Sequence, residues 1–258
     1  MTKNGPPADR RICWIVGASK GIGRALALAL AGQGSTVIAS ARDADALAAL
    51  VAEEAADGRI IAEPLDMADR DTVKAAAGRI ERTLGPLDLV VVSAALWRMT
   101  GLDDVSVDGI GPTFQVNVFG SLNVLEAVLP FMRQRQAGHI VVLSSVAGFR
   151  GLPRAAAYGG SKAALTHICE SLKFDLDRAG IKLQVVHPGF VDTPMTADNP
   201  FPMPHLISAE DAARRIVKGL AGKRFEITFP RRFTWQLKAL RILPYSLYFR
   251  AVKRFTGR

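Results

Sequence analysis

A tyrosine and a lysine four residues apart are the first candidates for chemistry in this sequence. Tyr158 and Lys162 open a stretch of helical composition, and residues four apart lie on one helix face. A free phenol titrates near pKa 10, and proton transfer near neutral pH requires a pKa about 3 units lower. A neighbouring ammonium group favours the ionised phenol. The pair therefore predicts a general acid/base centre, although the same spacing is common by chance.

Ser145 is a third candidate because of its position. It follows the apolar run 139–144, whose continuous hydrophobic character is typical of a strand covered on both faces of a parallel sheet. Active sites of such sheets lie beyond the carboxyl ends of the strands. Ser145 precedes Tyr158 by thirteen residues. Its position sharpens the hypothesis of an active site.

The elements that must position these side chains alternate along the chain. We predict strands over 11–16, 36–41, 60–64, 87–93, 139–144 and Glu226–Phe229, and helices over 21–32, 44–56 and 71–84. Such alternation predicts an α/β fold with a doubly wound parallel sheet, in one domain over residues 1–230. Residues 192–206 contain four prolines and are expected to form a long irregular loop within it.

A glycine-containing turn follows the first predicted strand. The segment Gly17-Ala18-Ser19-Lys20-Gly21-Ile22-Gly23 also opens the first predicted helix. Glycines let a pyrophosphate approach the backbone, and a helix N-terminus faces it with free N–H groups. A tight turn needs glycine in any case, so the segment alone leaves both explanations open. In this context we expect a dinucleotide to contact Gly17, Ser19, Lys20, Gly21, Ile22 and Gly23.

The end of the second predicted strand indicates which dinucleotide is bound. NAD sites usually place an acidic residue there to accept from the adenosine ribose, whereas this chain has Ser40-Ala41-Arg42. Arg42 and Lys20 match the oxygens of a 2′-phosphate, so we expect NADP(H) in preference to NAD(H). The alternative is that Arg42 and Asp43 only begin a solvated helix. Asp66 can accept from an adenine amino group or cap the helix that follows it.

Together these motifs resemble the short-chain dehydrogenase/reductase family. The resemblance rests on the GxxxGxG turn, the spacing of Ser145, Tyr158 and Lys162, and the run His187-Pro188-Gly189, in the family's order over about residues 10–230. It implies a Rossmann fold and a homo-oligomer, a dimer or tetramer, that transfers hydride between NAD(P) and a carbonyl or alcohol. Two positions depart from the family pattern: Val92-Ser93-Ala94-Ala95 replaces Asn-Asn-Ala-Gly, and Gly160 replaces alanine.

The resemblance also implies a role for each site residue. Tyr158 is implied to be the general acid/base, Ser145 to hold the substrate oxygen, and Lys162 to lower the pKa of the tyrosine while binding the nicotinamide ribose. Asn117 is implied to anchor a water that passes protons to the lysine. The residues implied to line the nicotinamide are Pro188, Gly189, Val191 and Thr193.

Three segments are expected on the substrate side because they follow strand ends near the candidate catalytic groups. They are 96–101, 149–153 and the proline-containing segment 192–206, which we call the substrate loop. Their side chains are mostly apolar, and the large ones are Trp97, Met99, Phe149, Leu152, Met195, Phe201 and Met203. They predict an apolar substrate, although such residues also commonly pack against their own domain.

The charge of the chain is concentrated at one end. The formal net charge is +9, yet residues 231–258 hold eight basic and no acidic side chains, which leaves +1 for the rest. Over 245–255, aromatic and apolar residues fall on one helical face and cations on the other. This basic amphipathic extension predicts either packing on the domain or a neighbouring subunit, which we favour, or contact with a membrane surface, which would suit a lipid-like substrate.

Composition excludes several other classes. Cys13 and Cys169 give neither a disulfide framework nor a cysteine zinc site, and we expect no metal and a cytoplasmic protein, peripheral at a membrane if the extension binds one. No stretch has the length and apolarity of a signal peptide or a spanning segment. No nucleic-acid recognition module is present, so nucleic acid is not an expected partner. The remaining alternative to an enzyme is a sensor or scaffold that binds NADP without turnover.

Overall fold

A seven-stranded parallel sheet organises the computed structural model, which describes residues 11–53 and 59–256. The strands are β1 (Ile12–Val16), β2 (Thr36–Ser40), β3 (Ile60–Ala62), β4 (Leu89–Val92), β5 (Gly138–Leu143), β6 (Ile181–Pro188), β7 (Val191–Asp192), β8 (Ile207–Ser208) and β9 (Glu226–Phe229). The order of strands in the sheet is β3-β2-β1-β4-β5-β6-β9, and β7 and β8 form a separate parallel pair.

Helices cover both faces of the sheet. They are α1 (Gly21–Ala31), α2 (Ala44–Glu53), α3 (Arg70–Thr83), α4 (Val107–Phe114), α5 (Ser121–Arg135), α6 (Ala156–Arg178), α7 (Ala209–Leu220), α8 (Arg231–Arg241) and α9 (Tyr245–Thr256). A π-helical segment, Gln115–Gly120, joins α4 to α5. One core lies between the sheet and α3, α5 and α6, and the other between the sheet and α1, α2 and α7.

The central strands are apolar because both of their faces are covered, as in β4, where all four residues are buried. From β1 the chain winds outward through β2 and β3, then returns to β4 and winds the other way. The order reverses between β1 and β4, and a ligand crevice forms beyond the carboxyl ends of these strands. The doubly wound parallel fold predicted from the sequence is therefore confirmed.

Several predicted boundaries shift in the structure. The strand predicted over 87–93 is shortened to β4, and that over 60–64 to β3. The helix predicted over 44–56 runs to Glu53 within the described residues, and its remainder lies outside them. Strand β6 was not predicted, because Lys182 and Gln184 interrupt its apolar run. Gln184 is buried in the sheet because its side chain accepts from His139 and donates to the Arg224 carbonyl.

The expectation that no stretch is long and apolar enough to span a membrane is wrong by length and composition, because the helical stretch Val107–Arg135 meets both conditions. In the fold, α5 packs its apolar face into the core with Val124, Val128 and Met132 fully buried. This stretch is therefore explained by its position against the sheet.

The extension folds as α8 and α9, and its predicted apolar face is divided. Tyr248 and Val252 are buried against the domain, whereas Tyr245, Phe249 and Phe255 are exposed. The prediction of packing on the chain's own domain thus holds for the middle of the face. The flanks of that face remain open to solvent.

Candidate functional site

The end of β5 supplies two serines with different partners. The Ser144 hydroxyl is buried, donates to the Lys162 carbonyl at 2.9 Å and pairs with the Thr166 hydroxyl at 2.9 Å. The Ser145 side chain accepts from the Ala147 N–H at 3.1 Å and so caps the short turn that follows. Ser144 therefore fixes the strand end to α6, and Ser145 lies directly after the carboxyl end of β5.

Close backbone contacts hold α6 against this turn. A methyl group at Gly148 would lie 2.8 Å from the Lys162 carbonyl carbon, and one at Gly159 would lie 3.0 Å from the Ala147 carbonyl oxygen. Neither glycine has room for a side chain without a backbone shift. The N-terminus of α6 is also held by Thr100, whose hydroxyl accepts from the Ala157 N–H at 2.8 Å. These contacts set the distance between Ser145 and the face of α6 that carries Tyr158.

Tyr158 is half-buried beside Ser145 and Trp97. Its ring and that of Trp97 meet edge to face with centroids 5.0 Å apart. Burial raises the pKa of Tyr158 above its ordinary value, and the hydrogen bond with Ser145 opposes that increase. The chain by itself therefore does not give Tyr158 the lowered pKa that was expected from the sequence. The structure does bring the phenol and the serine hydroxyl together.

Lys162 is almost completely buried one turn further along α6. Its ammonium group donates to the Leu143 carbonyl at 2.7 Å and lies 5.7 Å from the centroid of the Tyr158 ring. Burial lowers the pKa of Lys162 to about 7. Lys162 therefore lies on the same helix face as Tyr158, as predicted. Its ammonium group donates to one backbone carbonyl and has further N–H donors that a ligand could use.

Asn117 is buried in the π-helical segment and joins two parts of the site. Its side-chain oxygen accepts from the Leu96 N–H at 2.7 Å, and its amide donates to the Leu96 carbonyl and to the Ser161 hydroxyl. Ser161 in turn donates to the Tyr158 carbonyl at 2.7 Å. Asn117 thus fastens the segment after β4 to the start of α6. π-Helical turns of this kind are frequent at functional sites.

A buried polar chain behind the site was missed by the sequence analysis. The Thr166 hydroxyl lies 3.1 Å from His187 Nε2, and His187 Nδ1 lies 3.1 Å from the Glu226 carboxylate, which also pairs with Lys238 of α8. Burial raises the pKa of Glu226, but the hydrogen bonds from His187 and Lys238 outweigh this effect and lower it. The clue in the sequence was the polar His187 inside an apolar run.

The glycine turn is built as its spacing suggests. The N–H groups of Gly17 and Ala18 both donate to the Ser40 carbonyl, and a methyl group at Gly23 would lie 2.0 Å from the Gly17 carbonyl oxygen. Gly21 has φ +57°, which favours glycine. The turn therefore needs its glycines for its own geometry, as the alternative explanation held, and Ile22 is the second residue of α1.

The N-terminus of α1 fits the pyrophosphate of a dinucleotide. Its cap residue, Lys20, makes no side-chain capping bond, and the first turn holds no acidic residue. Within residues 11–53 and 59–256, no side-chain cap therefore occupies the N–H groups that open α1, and the positive end of the helix favours an anion. The residues Gly17, Ser19, Lys20 and Gly21 surround this helix end and would hold the group.

The two cations of the predicted phosphate site are free to bind. Lys20 and Arg42 are exposed, and neither forms an ion pair with any residue in the described parts of the chain. Asp43 instead caps α2, accepting from the Ala46 N–H at 3.0 Å. One alternative for Asp66 is wrong: it accepts from the Ala68 N–H within a turn, and Asp69 caps α3. The adenine contact of Asp66 stays a prediction.

The segment after β6 lies next to the glycine turn. Gly189 donates its N–H to the Phe229 carbonyl at 2.7 Å, and Pro188 ends β6. The Val191 side chain is buried in the core. A methyl group at Gly21 would lie 3.0 Å from the Thr193 side chain, so Thr193 reaches the turn. These residues border the crevice where the nicotinamide is expected.

Trp97, which contacts Tyr158, is also hydrogen-bonded to the substrate loop. The Trp97 ring N–H donates to the Asn199 side-chain oxygen at 3.0 Å, and Asn199 contacts the Met203 sulfur at 3.5 Å. The predicted role of Phe149 is not supported, because its ring is buried 4.8 Å from the His187 ring. The other predicted residues of the apolar surface are half-buried: Trp97, Met99, Leu152, Met195, Phe201 and Met203.

Comparison with known proteins agrees with this architecture. The family model described as short chain dehydrogenase matches residues 11–201. An uncharacterized oxidoreductase of Myxococcus xanthus is 38% identical over 246 residues, which cover 95% of this chain and 97% of that protein. A 3-oxoacyl-[acyl-carrier-protein] reductase of Thermotoga maritima is 33% identical over 220 residues, covering 85% and 87%.

A solved structure adds a ligand-bound example. A short chain dehydrogenase from Burkholderia cenocepacia, crystallised in complex with NADP, is 25% identical and superposes with a TM-score of 0.81, covering 94% of this chain and 98% of that one. The residues matched by the family model include the glycine turn and the helix that carries Tyr158. On these grounds the chain belongs to the short chain dehydrogenase family of NAD(P)-dependent oxidoreductases.

Proposed function

We propose that this protein is an NADP(H)-dependent oxidoreductase that interconverts the carbonyl and secondary alcohol of an apolar substrate. The observation that carries the proposal is the assembly of Ser145, Tyr158 and Lys162 at the carboxyl edge of the sheet, beside the glycine turn. A protein that only senses NADP has no need for a buried lysine behind a tyrosine. The buried network around these residues therefore favours catalysis over the sensor or scaffold alternative.

The nicotinamide, when bound, supplies or accepts the hydride. Tyr158 exchanges a proton with the substrate oxygen at its phenol oxygen, and the Ser145 hydroxyl binds the same oxygen. Lys162 carries the donors that would hold the nicotinamide ribose, and when protonated it favours the ionised phenol. The contacts of Ser144 and Asn117 hold these groups at fixed positions, as proton transfer requires.

Two free cations support the preference for NADP(H). Arg42 and Lys20 are exposed at the ends of β2 and the glycine turn, where an adenosine 2′-phosphate would lie. A guanidinium group and an ammonium group bind phosphate oxygens through charge-assisted hydrogen bonds. The relative from Burkholderia cenocepacia was crystallised with NADP, which accords with this preference.

The substrate side supports an apolar carbonyl compound. Trp97 lies against Tyr158, and the substrate loop adds half-buried Met195, Phe201 and Met203. Apolar walls around a small number of polar groups are typical of small-molecule sites. The relative from Thermotoga maritima is named as a reductase of 3-oxoacyl groups, and this also favours a ketone as the reacting group.

The test is a panel of ketones and secondary alcohols of increasing chain length, followed by NADPH absorbance and repeated with NADH. We expect turnover of the ketones, kcat/KM that rises with chain length, and a clear preference for NADPH. Absence of turnover with tight NADPH binding would support the sensor instead. Equal kcat/KM for NADPH and NADH would show that Arg42 does not confer a preference for NADP(H).

A further inference from the structure

The extension presents an unusual surface for a domain of this kind. Among the described residues, fourteen large apolar side chains are exposed, and six of them lie in the short span 235–255. We call the exposed residues of α8, α9 and their connection the extension surface. Its apolar members are Trp235, Ile242, Tyr245, Leu247, Phe249 and Phe255, and its cations are Arg231, Arg232, Arg241, Arg250, Lys253 and Arg254.

Other residues of the extension anchor it to the domain. Tyr248 donates its hydroxyl to the Gly151 carbonyl at 2.6 Å, and Val252 is buried beside it. The Arg150 guanidinium lies over the Tyr245 and Tyr248 rings at 4.5 and 4.1 Å. Tyr248 and Val252 thus anchor α9 to the domain, and of the apolar members of the extension surface Tyr245 shares in this anchoring through Arg150.

Some basic side chains lie close to exposed apolar ones on both helices of the extension. Trp235 and Ile242, the residue that caps the end of α8, are 68% and 83% exposed, and a separation of seven places them on one side of the helix. Arg231 and Arg232 stand one turn before Trp235, on the same side. On α9, the Tyr245 and Phe249 rings stack 6.0 Å apart. Lys253 follows Phe249 by one further turn.

The charge decides between the partners that such a surface can have. Residues 231–258 hold no acidic side chain. In a symmetric dimer the extension surfaces of two copies would face each other, and their cations would repel. Nucleic acid offers negative charge but no apolar phase for Ile242 and Leu247. An anionic bilayer offers both, because aromatic side chains lie at the headgroup level and cations pair with anionic lipids.

We propose that the extension surface docks the protein on the surface of an anionic lipid bilayer. In this arrangement Trp235, Ile242 and Phe249 enter the headgroup region and the surrounding arginines and lysines contact lipid phosphates. The protein lies on the bilayer and does not span it. Binding therefore depends on anionic lipid, falls as salt rises, and needs the exposed apolar side chains as well as the cations.

Helix α8 adjoins the substrate loop. Its Phe233 ring, which is not part of the extension surface, lies 6.1 Å from the His205 ring of that loop and 5.6 Å from the ring of Phe190, which precedes the loop. A docked protein would hold its substrate loop close to the lipid, in keeping with an apolar substrate. This corollary rests on the function proposed above, whereas the lipid contact itself does not.

The test is co-sedimentation of the full-length protein with vesicles of phosphatidylcholine alone and of phosphatidylcholine with phosphatidylglycerol, at low and high salt. One variant carries Trp235→Ser and Ile242→Ser. A second carries Arg250→Gln, Lys253→Gln and Arg254→Gln. Matched controls elsewhere on the surface are Phe174→Ser, which removes a side chain 72% exposed on α6, and the pair Arg82→Gln and Arg133→Gln.

We expect binding to the anionic vesicles only, and wild-type binding by both controls. The cation variant should bind about 100-fold more weakly, since each lost cation weakens partitioning about fivefold. The apolar variant should also bind the anionic vesicles more weakly, by up to about tenfold. All variants should keep wild-type reductase activity on a soluble ketone, which separates failure of this proposal from failure of the proposed function.

Three results would overturn the proposal. The first is equal sedimentation with and without anionic lipid, or none with either. The second is binding that neither variant weakens. The third is a different occupant: a dimer that Trp235→Ser dissociates, or a duplex DNA bound more tightly than the anionic vesicles at the same salt concentration.

Discussion

The two halves of the cofactor crevice are built in opposite ways. On the adenosine side, Lys20 and Arg42 are exposed and form no ion pair within the described residues. On the reaction side, Ser144, Lys162 and Thr166 are buried, and each is hydrogen-bonded to another part of the chain. The cations of the adenosine side are available to a ligand. The polar groups of the reaction side are hydrogen-bonded within the protein and stabilise its own structure.

This difference indicates which properties of the protein are easy to change. A side chain with no protein partner can be replaced with little effect on folding, and only the ligand it contacts is affected. A member of a buried network leaves unsatisfied partners behind when it is replaced. Cofactor preference should therefore be separable from stability, whereas the reaction side should couple activity to stability.

The largest expected effect is on turnover. Tyr158→Phe removes the phenol oxygen and keeps the ring that contacts Trp97. We expect kcat to fall by about 10²- to 10⁴-fold, the usual contribution of a general acid/base, while NADPH still binds. Steady-state kinetics together with fluorescence titration of NADPH measures both. Near-wild-type kcat in this variant would refute the proposed role of Tyr158.

The buried lysine predicts a pH-dependent stability. Burial lowers the pKa of Lys162 from its ordinary value of 10.5 to about 7, so the folded protein binds fewer protons than the unfolded chain between these two pH values. The cost of burying the charge is fully present below pH 7 and is relieved as pH rises through that window. In the cofactor-free protein, this term destabilises wild type relative to Lys162→Met.

Chemical denaturation of both proteins across pH measures the effect. The free energy of unfolding of wild type should rise relative to that of Lys162→Met by a few kcal/mol, on the order of 1.4 for each pH unit of that window. Contributions of the buried cysteines cancel in this difference. A difference independent of pH would show that Lys162 titrates normally.

The tight contact between the turn after β5 and α6 predicts the next effect. Gly148→Ala would place a methyl group 2.8 Å from the Lys162 carbonyl carbon. We expect a loss of about 1–3 kcal/mol in stability, typical of overpacking, together with a lower kcat because Ser145 shifts relative to Tyr158. Gly151→Ala is the matched control, since its methyl group would meet nothing within 4 Å. Equal behaviour of the two variants would contradict the interlocked reaction side.

The smallest effect lies on the adenosine side. Arg42→Asp replaces a phosphate partner with an acid that suits ribose hydroxyls, and we expect the ratio of kcat/KM for NADPH to that for NADH to fall by about 10- to 100-fold. The melting temperature should stay at the wild-type value because Arg42 is exposed. Arg82→Asp, at another exposed arginine, should leave the ratio unchanged. If Arg42→Asp lowered the free energy of unfolding by as much as it changed the free energy of cofactor selectivity, the adenosine side would not differ from the reaction side in the way described.

Much of the fold and of the site's membership follows from local sequence signals. Apolar runs that end at Val16 and Leu143 predict β1 and β5, and the glycine turn that follows Val16 marks the crevice at the carboxyl ends of the strands. The spacing from Ser145 to Tyr158 places both at one edge because the intervening turn is short. These inferences need only neighbours along the chain, and they survive small errors in element boundaries.

Long-range contacts account for what the sequence analysis missed. The side chain of Gln184 makes β6 look too polar for a strand, and its partners lie in other elements. Phe149 has the composition of a substrate wall but packs on His187. The pKa of Tyr158 follows from its burial, which depends on Trp97, some sixty residues earlier in the chain. None of these facts is visible in a window of neighbouring residues.

Arg150 also determines how the extension can be studied. Its guanidinium donates to the carbonyls of Leu240, Arg241 and Leu243, and these close the end of α8. Cutting the chain after Phe229 would leave the Arg150 guanidinium without these three carbonyl partners and would expose the apolar surface that Tyr248 covers. A shortened protein would then aggregate or lose activity for reasons unrelated to any partner, which makes point substitution the cleaner way to dissect the extension.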